Sequence, residues 1–230
     1  MRLDGLGPLA GQFLARQRWY AGSPEAAAGA RILEAEVLVG GGPVPGGPAS
    51  GGPAPAPASG GPALAWVLVD VAGVTYQVLV GARPEADALV ILQGQEPAVL
   101  GLLEDGHLAY DALADPELAL VVLEIVTGGV QHAERVRPVG GEQSNSSMIY
   151  DDRLILKLFR RVAPGLNPDV EVSLALDRVG FNHVAAPAGS WRRGELDLAI
   201  VRELLGGGIE GWALALTSLR DLYGRGGGGG

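Results

Sequence analysis

Lys157 is the only lysine among the 17 basic residues of this 230-residue chain, and it stands inside the apolar run Leu154-Ile-Leu-Lys-Leu-Phe. As a strand, that run puts Ile155, Lys157 and Phe159 on one face and Leu154, Leu156 and Leu158 on the other. An ammonium on an apolar face calls for a carboxylate or a ligand anion, since leaving it unpaired costs on the order of several kcal/mol. Downstream, Asn167-Pro168-Asp169 has the form of an N-cap, a first-position proline and an acidic first turn. The helix it opens closes at Gly180 and carries Glu171 on the stripe of Leu174, Ala175 and Arg178. A strand lysine with a glutamate on the following helix is one way to hold nucleotide phosphates. Upstream, the turn GGEQSNS at 140–146 is rich in residues that free backbone N–H groups for oxyanions.

Each feature has a plainer explanation when taken alone. Strand lysines commonly snorkel at sheet edges, first-turn glutamates complement the helix dipole, and Gly-Gly is good turn chemistry. Their order along the chain, glycine-polar hairpin, strand lysine, helix glutamate and a further strand, is what points to a single phosphate site.

The elements that would position these residues follow from periodicity and breakers. Leu9 to Tyr20 reads as an amphipathic helix, Gly22-Ser23-Pro24 as a break, and Ile32 to Val39 as a strand. Residues 40–62 hold 16 Gly or Pro out of 23, which neither helix nor sheet interior tolerates, and are expected to be a disordered insert. Residues 64–71 and 74–80 read as a β-hairpin about Ala72-Gly73, so the insert interrupts a sheet at a turn, at a loop-closure cost that grows only logarithmically with length. Ala98 to Leu103 is expected to be helical, His107 to Asp111 a short strand, and Asp115-Pro116 the start of a helix ending near Gly128. Strands are expected at 135–139, 147–150, 154–159 and 196–201, and a last amphipathic helix at 210–223.

Composition narrows the partners. A net charge of −9 argues against nonspecific binding to nucleic acid or anionic membrane, both of which need a basic face. The absence of cysteine excludes disulfides, thiolate metal sites and cysteine nucleophiles. The N-terminus lacks a basic head followed by an uninterrupted apolar segment, and no apolar run approaches the ~20 residues needed to span a bilayer, so a cytoplasmic location is the default.

The stretch QSNSSMIYDDRLILKLFRRVAPGLNPDVEVSLAL, with RQRWYAG near the N-terminus and YQVLVG at 76–81, resembles the actinobacterial maltokinase family and its close glucosamine-kinase relatives. The resemblance covers nearly the whole chain except the Gly/Pro insert. It implies an α+β protein: a cap subdomain with an antiparallel sheet and helices at 1–88, an intermediate region and protein-kinase-like, nucleotide-binding small lobe at 89–204, and the start of a truncated large lobe at 205–230. By the same resemblance, Gln143, Ser144, Asn145, Ser146 and Ser147 form the phosphate-covering loop, Lys157 binds the α/β-phosphates, Glu171 orients it, and Arg202, Glu203 and Leu204 form the hinge whose backbone meets adenine. Trp19 and Tyr20 of RQRWYAG are expected to pack in the cap core.

The implied activity is ATP- and Mg²⁺-dependent phosphorylation of a small sugar: glucosamine at C6 or maltose at C1. None of the three histidines lies in a His-Gly-Asp or His-x-Asp pattern, so the catalytic aspartate and the Mg²⁺ ligands are expected on the missing lobe, and this chain is expected to be inactive alone. Two other readings stand beside this one: a noncatalytic nucleotide-binding or interaction module, and a purely structural α+β domain. Oligomeric state is not legible.

Overall fold

The computed structural model describes residues 5–40, 61–140, 144–206 and 211–225, so most of the Gly/Pro insert and residues 141–143 lie outside the described residues. Leu6–Leu14 forms α1, shorter than the sequence pattern suggests, and buries Leu6, Ala10, Phe13 and Leu14 at helical spacing. Pro24–Ala27 forms the short α2, capped by the Ser23 side chain. Gly11 lets the two meet, because a Cβ there would lie 2.3 Å from the Ala27 carbonyl oxygen.

Arg31–Val39 (β1), Ala63–Val71 (β2) and Val74–Pro84 (β3) follow. Ala72 and Gly73, with φ of 51° and 82°, close the β2–β3 hairpin in the doubly left-handed geometry that matches strand twist. After Glu85–Ile91 (α3) come Val99–Leu102 (β4) and His107–Asp111 (β5). The segment expected to be a helix at 98–103 is therefore largely a strand. These strands form a first antiparallel sheet, in the order β1-β2-β3-β5-β4.

Both faces of that sheet are covered, which is why β2 is buried at every position instead of alternating. Ala65, Val67 and Val69 of β2 and Val78 and Val80 of β3 pack with α1 and Trp19. Leu64, Trp66, Leu68 and Leu79 face the other way, into a core shared with the remainder of the chain. Trp19 is buried against Phe13 and Tyr76, with ring centroids 6.0 and 6.2 Å away, as expected. Tyr20 is only half-buried, and its hydroxyl donates to the Ser23 carbonyl.

Pro116–Thr127 (α4) is the helix of the shared core. Asp115 caps it, with one carboxylate oxygen on the Glu117 N–H at 3.0 Å and the other taking Arg83 Nε and the Tyr110 hydroxyl, both at 2.8 Å. Gly128 ends it with φ of 62°.

The second sheet comprises Val136–Pro138 (β6), Asn145–Tyr150 (β7), Leu154–Phe159 (β8), Pro187–Arg193 (β10) and Leu196–Glu203 (β11), in the order β10-β11-β8-β7-β6, all antiparallel. Between them, Arg161–Val162 (β9) leaves the second sheet to pair with β3 of the first, and Pro168–Arg178 forms α5. Gly211–Arg225 forms α6, on which Leu214, Leu219, Leu222 and Tyr223 are exposed.

The fold is α+β. Apart from β9, the change of sheet falls between β5 and β6. Among the described residues no helix is long and apolar enough to cross a membrane.

Candidate functional site

The β7–β8 hairpin fixes the lysine. Asp151 and Asp152 both adopt left-handed backbone, φ 49° and 53°, making a two-residue turn that leaves no freedom of register. The Asp151 carboxylate accepts from the N–H groups of Glu134 and Arg135, tying the turn to the approach of β6. Ser147 then stands directly across from Lys157, and Lys157 across from Ile200 of β11. Leu154, Leu156 and Leu158 are buried in the core with α4, while Ile155 and Lys157 are half-buried, as the alternation predicts; Phe159, read on the lysine's face, is buried in that core at the strand's end.

The N-terminus of α5 is brought to this face by its own cap. Asn167 accepts from the Asp169 N–H at 3.0 Å through its side chain and donates its backbone N–H to Asp197 of β11 at 2.7 Å. Arg192 of β10 holds the other oxygen of the buried Asp197 at 2.8 Å. The helix entrance is thereby fastened to the sheet, and Asp169 Oδ2 lies 2.5 Å from Lys157 Nζ. Arg202 joins them, donating through Nη2 to the Asp169 carbonyl at 2.9 Å.

The carboxylate that meets Lys157 is thus Asp169, where Glu171 was expected. Residues two apart on a helix point about 200° apart by helix geometry, so only one of the two acids faces the sheet. The buried side of α5 runs through Val170 and Ser173, with Asp169 at its edge, and Glu171 is exposed.

The serine turn divides between two faces. Ser147 shares the Lys157 face, but Ser146, one residue earlier, accepts from Arg160 Nε at 2.8 Å on the opposite side. Ser144 is exposed and its hydroxyl accepts from the Asn145 amide, while Gln143 lies outside the described residues. The geometry therefore gathers Ser147, Lys157, Asp169 and Arg202, and leaves Ser146 and Glu171 out of the group.

At the expected hinge the backbone donors are already used. The Glu203 N–H donates to Ala186 O at 2.9 Å and the Leu204 N–H to Arg153 O at 2.8 Å. The Arg202 side chain, expected only as part of the hinge, points instead to Asp169. Two buried polar atoms flank the lysine without a protein partner: Ser147 Oγ and Arg202 Nε. Arg202 lies across from Ile155, two residues from Lys157 on the same strand face.

No protein-family model matches the chain. What the site can do rests on its own chemistry. It presents two cations against one carboxylate, half exposed, with a hydroxyl and a guanidinium N–H left unspent. Asp169 was not singled out in the sequence as the partner of Lys157, and Arg202 was read only as hinge backbone, because both meet the lysine from neighbouring elements; the cap motif that places Asp169 was nevertheless visible as Asn-Pro-Asp.

Proposed function

We propose that the second sheet and α5 form the nucleotide-phosphate-binding half of an ATP-dependent carbohydrate kinase, which transfers the γ-phosphate to a sugar hydroxyl. The observation that carries this reading is Lys157, held by Asp169 but not enclosed, between the unpartnered Ser147 Oγ and Arg202 Nε. Buried polar groups without partners are costly in a protein interior, and phosphate oxygens are the kind of acceptor that a hydroxyl and a guanidinium N–H lack here.

The order of parts supports the same reading. The sequence between the first and second strands of the sheet carries Gly140-Gly141, the lysine is on the third strand, and after the short β9 comes a helix with an acid at its first turn. Protein kinases use a glycine-rich loop, a third-strand lysine and an acid on the following helix in this way. Here Asp169 takes the orienting part that the resemblance gives to Glu171. Lys157 would neutralise phosphate oxygens and fix their orientation.

Among the described residues there is no group of three or more His, Asp or Glu that could hold a metal ion.

A second reading, a noncatalytic phosphate-binding module, is favoured by the hinge: with the N–H groups of Glu203 and Leu204 committed to Ala186 and Arg153, adenine would find chiefly carbonyl acceptors. Titrating ATP, tripolyphosphate and adenosine separates the two. The kinase reading requires ATP to bind at least tenfold more tightly than tripolyphosphate, and equal binding of both favours the module.

A further inference from the structure

The other face of the serine turn looks into a separate cleft of about 500 Å³ between the segment after α1 and the β6–β7 turn, large enough for a small metabolite. Its lining includes Arg16, Arg18, Asp111, Ser146 and Arg160. Arg160 is 1% exposed and lies over the Trp19 ring, its Cζ 4.8 Å from the centroid. Its Nη2 pairs with Asp111, its Nε donates to Ser146 Oγ, and its Nη1 is buried with no protein partner.

Asp111, the single carboxylate among the described lining residues, is thus matched by Arg160, which leaves the charges of Arg16 and Arg18 uncompensated at the cleft. Arg16 spends one donor on the neutral Val99 carbonyl, and both arginines are exposed. In a chain of net charge −9, three arginines and one acid among the described lining residues are a local inversion of sign. Gln17 and Gln95 also line it; each donates its amide N–H to a backbone carbonyl, of Pro97 and Ala114, which leaves the amide oxygen as an acceptor for hydroxyl groups.

We infer that this cleft binds a small hydroxylated phosphomonoester, with the phosphate on Arg16, Arg18 and the unspent edge of Arg160, and the hydroxyls on Gln17 and Gln95. Guanidinium forks suit phosphate oxygens, and the half-satisfied amides suit a sugar-like body. Ser147 lines this cleft as well, but Lys157 does not, so the response to Lys157→Ala tells the two sites apart.

The test is calorimetric titration of the whole chain with glucose 6-phosphate, glucose and inorganic phosphate. The site predicts that glucose 6-phosphate binds at least tenfold more tightly than either of the others. The double substitution R16Q/R18Q, on exposed side chains, is expected to weaken it at least tenfold with the melting temperature unchanged. Lys157→Ala is expected to leave it within twofold. No binding at millimolar concentration, equal binding of inorganic phosphate, indifference to R16Q/R18Q, or loss with Lys157→Ala would each overturn the assignment.

Discussion

Gln77, in the first sheet, donates its side-chain amide to the carbonyl of Leu198 in the second at 2.6 Å, across 121 residues of chain. The same nitrogen donates to Phe159 O at 2.5 Å, and the amide oxygen accepts from Trp66 Nε1 at 3.1 Å. Gln77 is fully buried, and its side-chain NH₂ group joins the first sheet to two strands of the second. Gln77→Leu keeps the volume but orphans two carbonyls and an indole N–H, so a loss of about 3 kcal/mol in urea unfolding is expected. A loss under about 1 kcal/mol would mean that the sheets are held by apolar packing alone.

Ala72 occupies the first left-handed position of the β2–β3 turn, where an alanine side chain is disfavoured by about 1 kcal/mol. Ala72→Asn places a residue that tolerates this backbone before Gly73, and chemical denaturation should show a gain of about 0.5–1 kcal/mol.

Glu36 of β1 meets Arg193 of β10 at 2.5 Å, and that hydrogen bond holds its carboxyl below the ordinary 4.5. Arg193 also lies over Trp66, 4.6 Å from the ring centroid, so the pair links the two sheets. A lowered carboxyl contributes stability that is fully present above the unfolded value and lost as pH falls through the folded one. The difference in stability between the protein and Glu36→Gln should therefore be constant near neutrality and shrink below about pH 4.5. Both partners are part-exposed, so its plateau should be under about 1 kcal/mol. A difference independent of pH down to 3 would remove the ion pair from the account.

Replacing the two acids of the first turn of α5 separates their roles. Asp169→Ala removes the partner of Lys157 and should cost about 1 kcal/mol, whereas Glu171→Ala should stay within about 0.5 kcal/mol. Equal effects in thermal or urea unfolding would return Glu171 to consideration.

The sequence is most legible where local rules decide. The alternation about Lys157, the Asn167-Pro168 cap and the Ala72-Gly73 turn all act within a few residues, and the structure places them as read. Residues 98–103 were misread because a short apolar run has no period that separates strand from helix. β10 was not anticipated, since Pro187-Ala-Gly-Ser-Trp-Arg-Arg has the proline and sparse apolar residues of a sheet edge. The buried Gln77 and Arg160 lay beyond reach for another reason: each is satisfied by groups distant in the chain, and nothing in their neighbours announces those partners.

The phosphate site is tested most directly by equilibrium titration of ATP against the unmodified chain and Lys157→Ala, each first shown to unfold cooperatively. A charge-assisted contact to phosphate contributes about 1.5–3 kcal/mol, so the substitution should weaken ATP binding about 10- to 100-fold. Measurable binding that is equal in the two proteins would contradict the central claim that Lys157 meets the nucleotide phosphates.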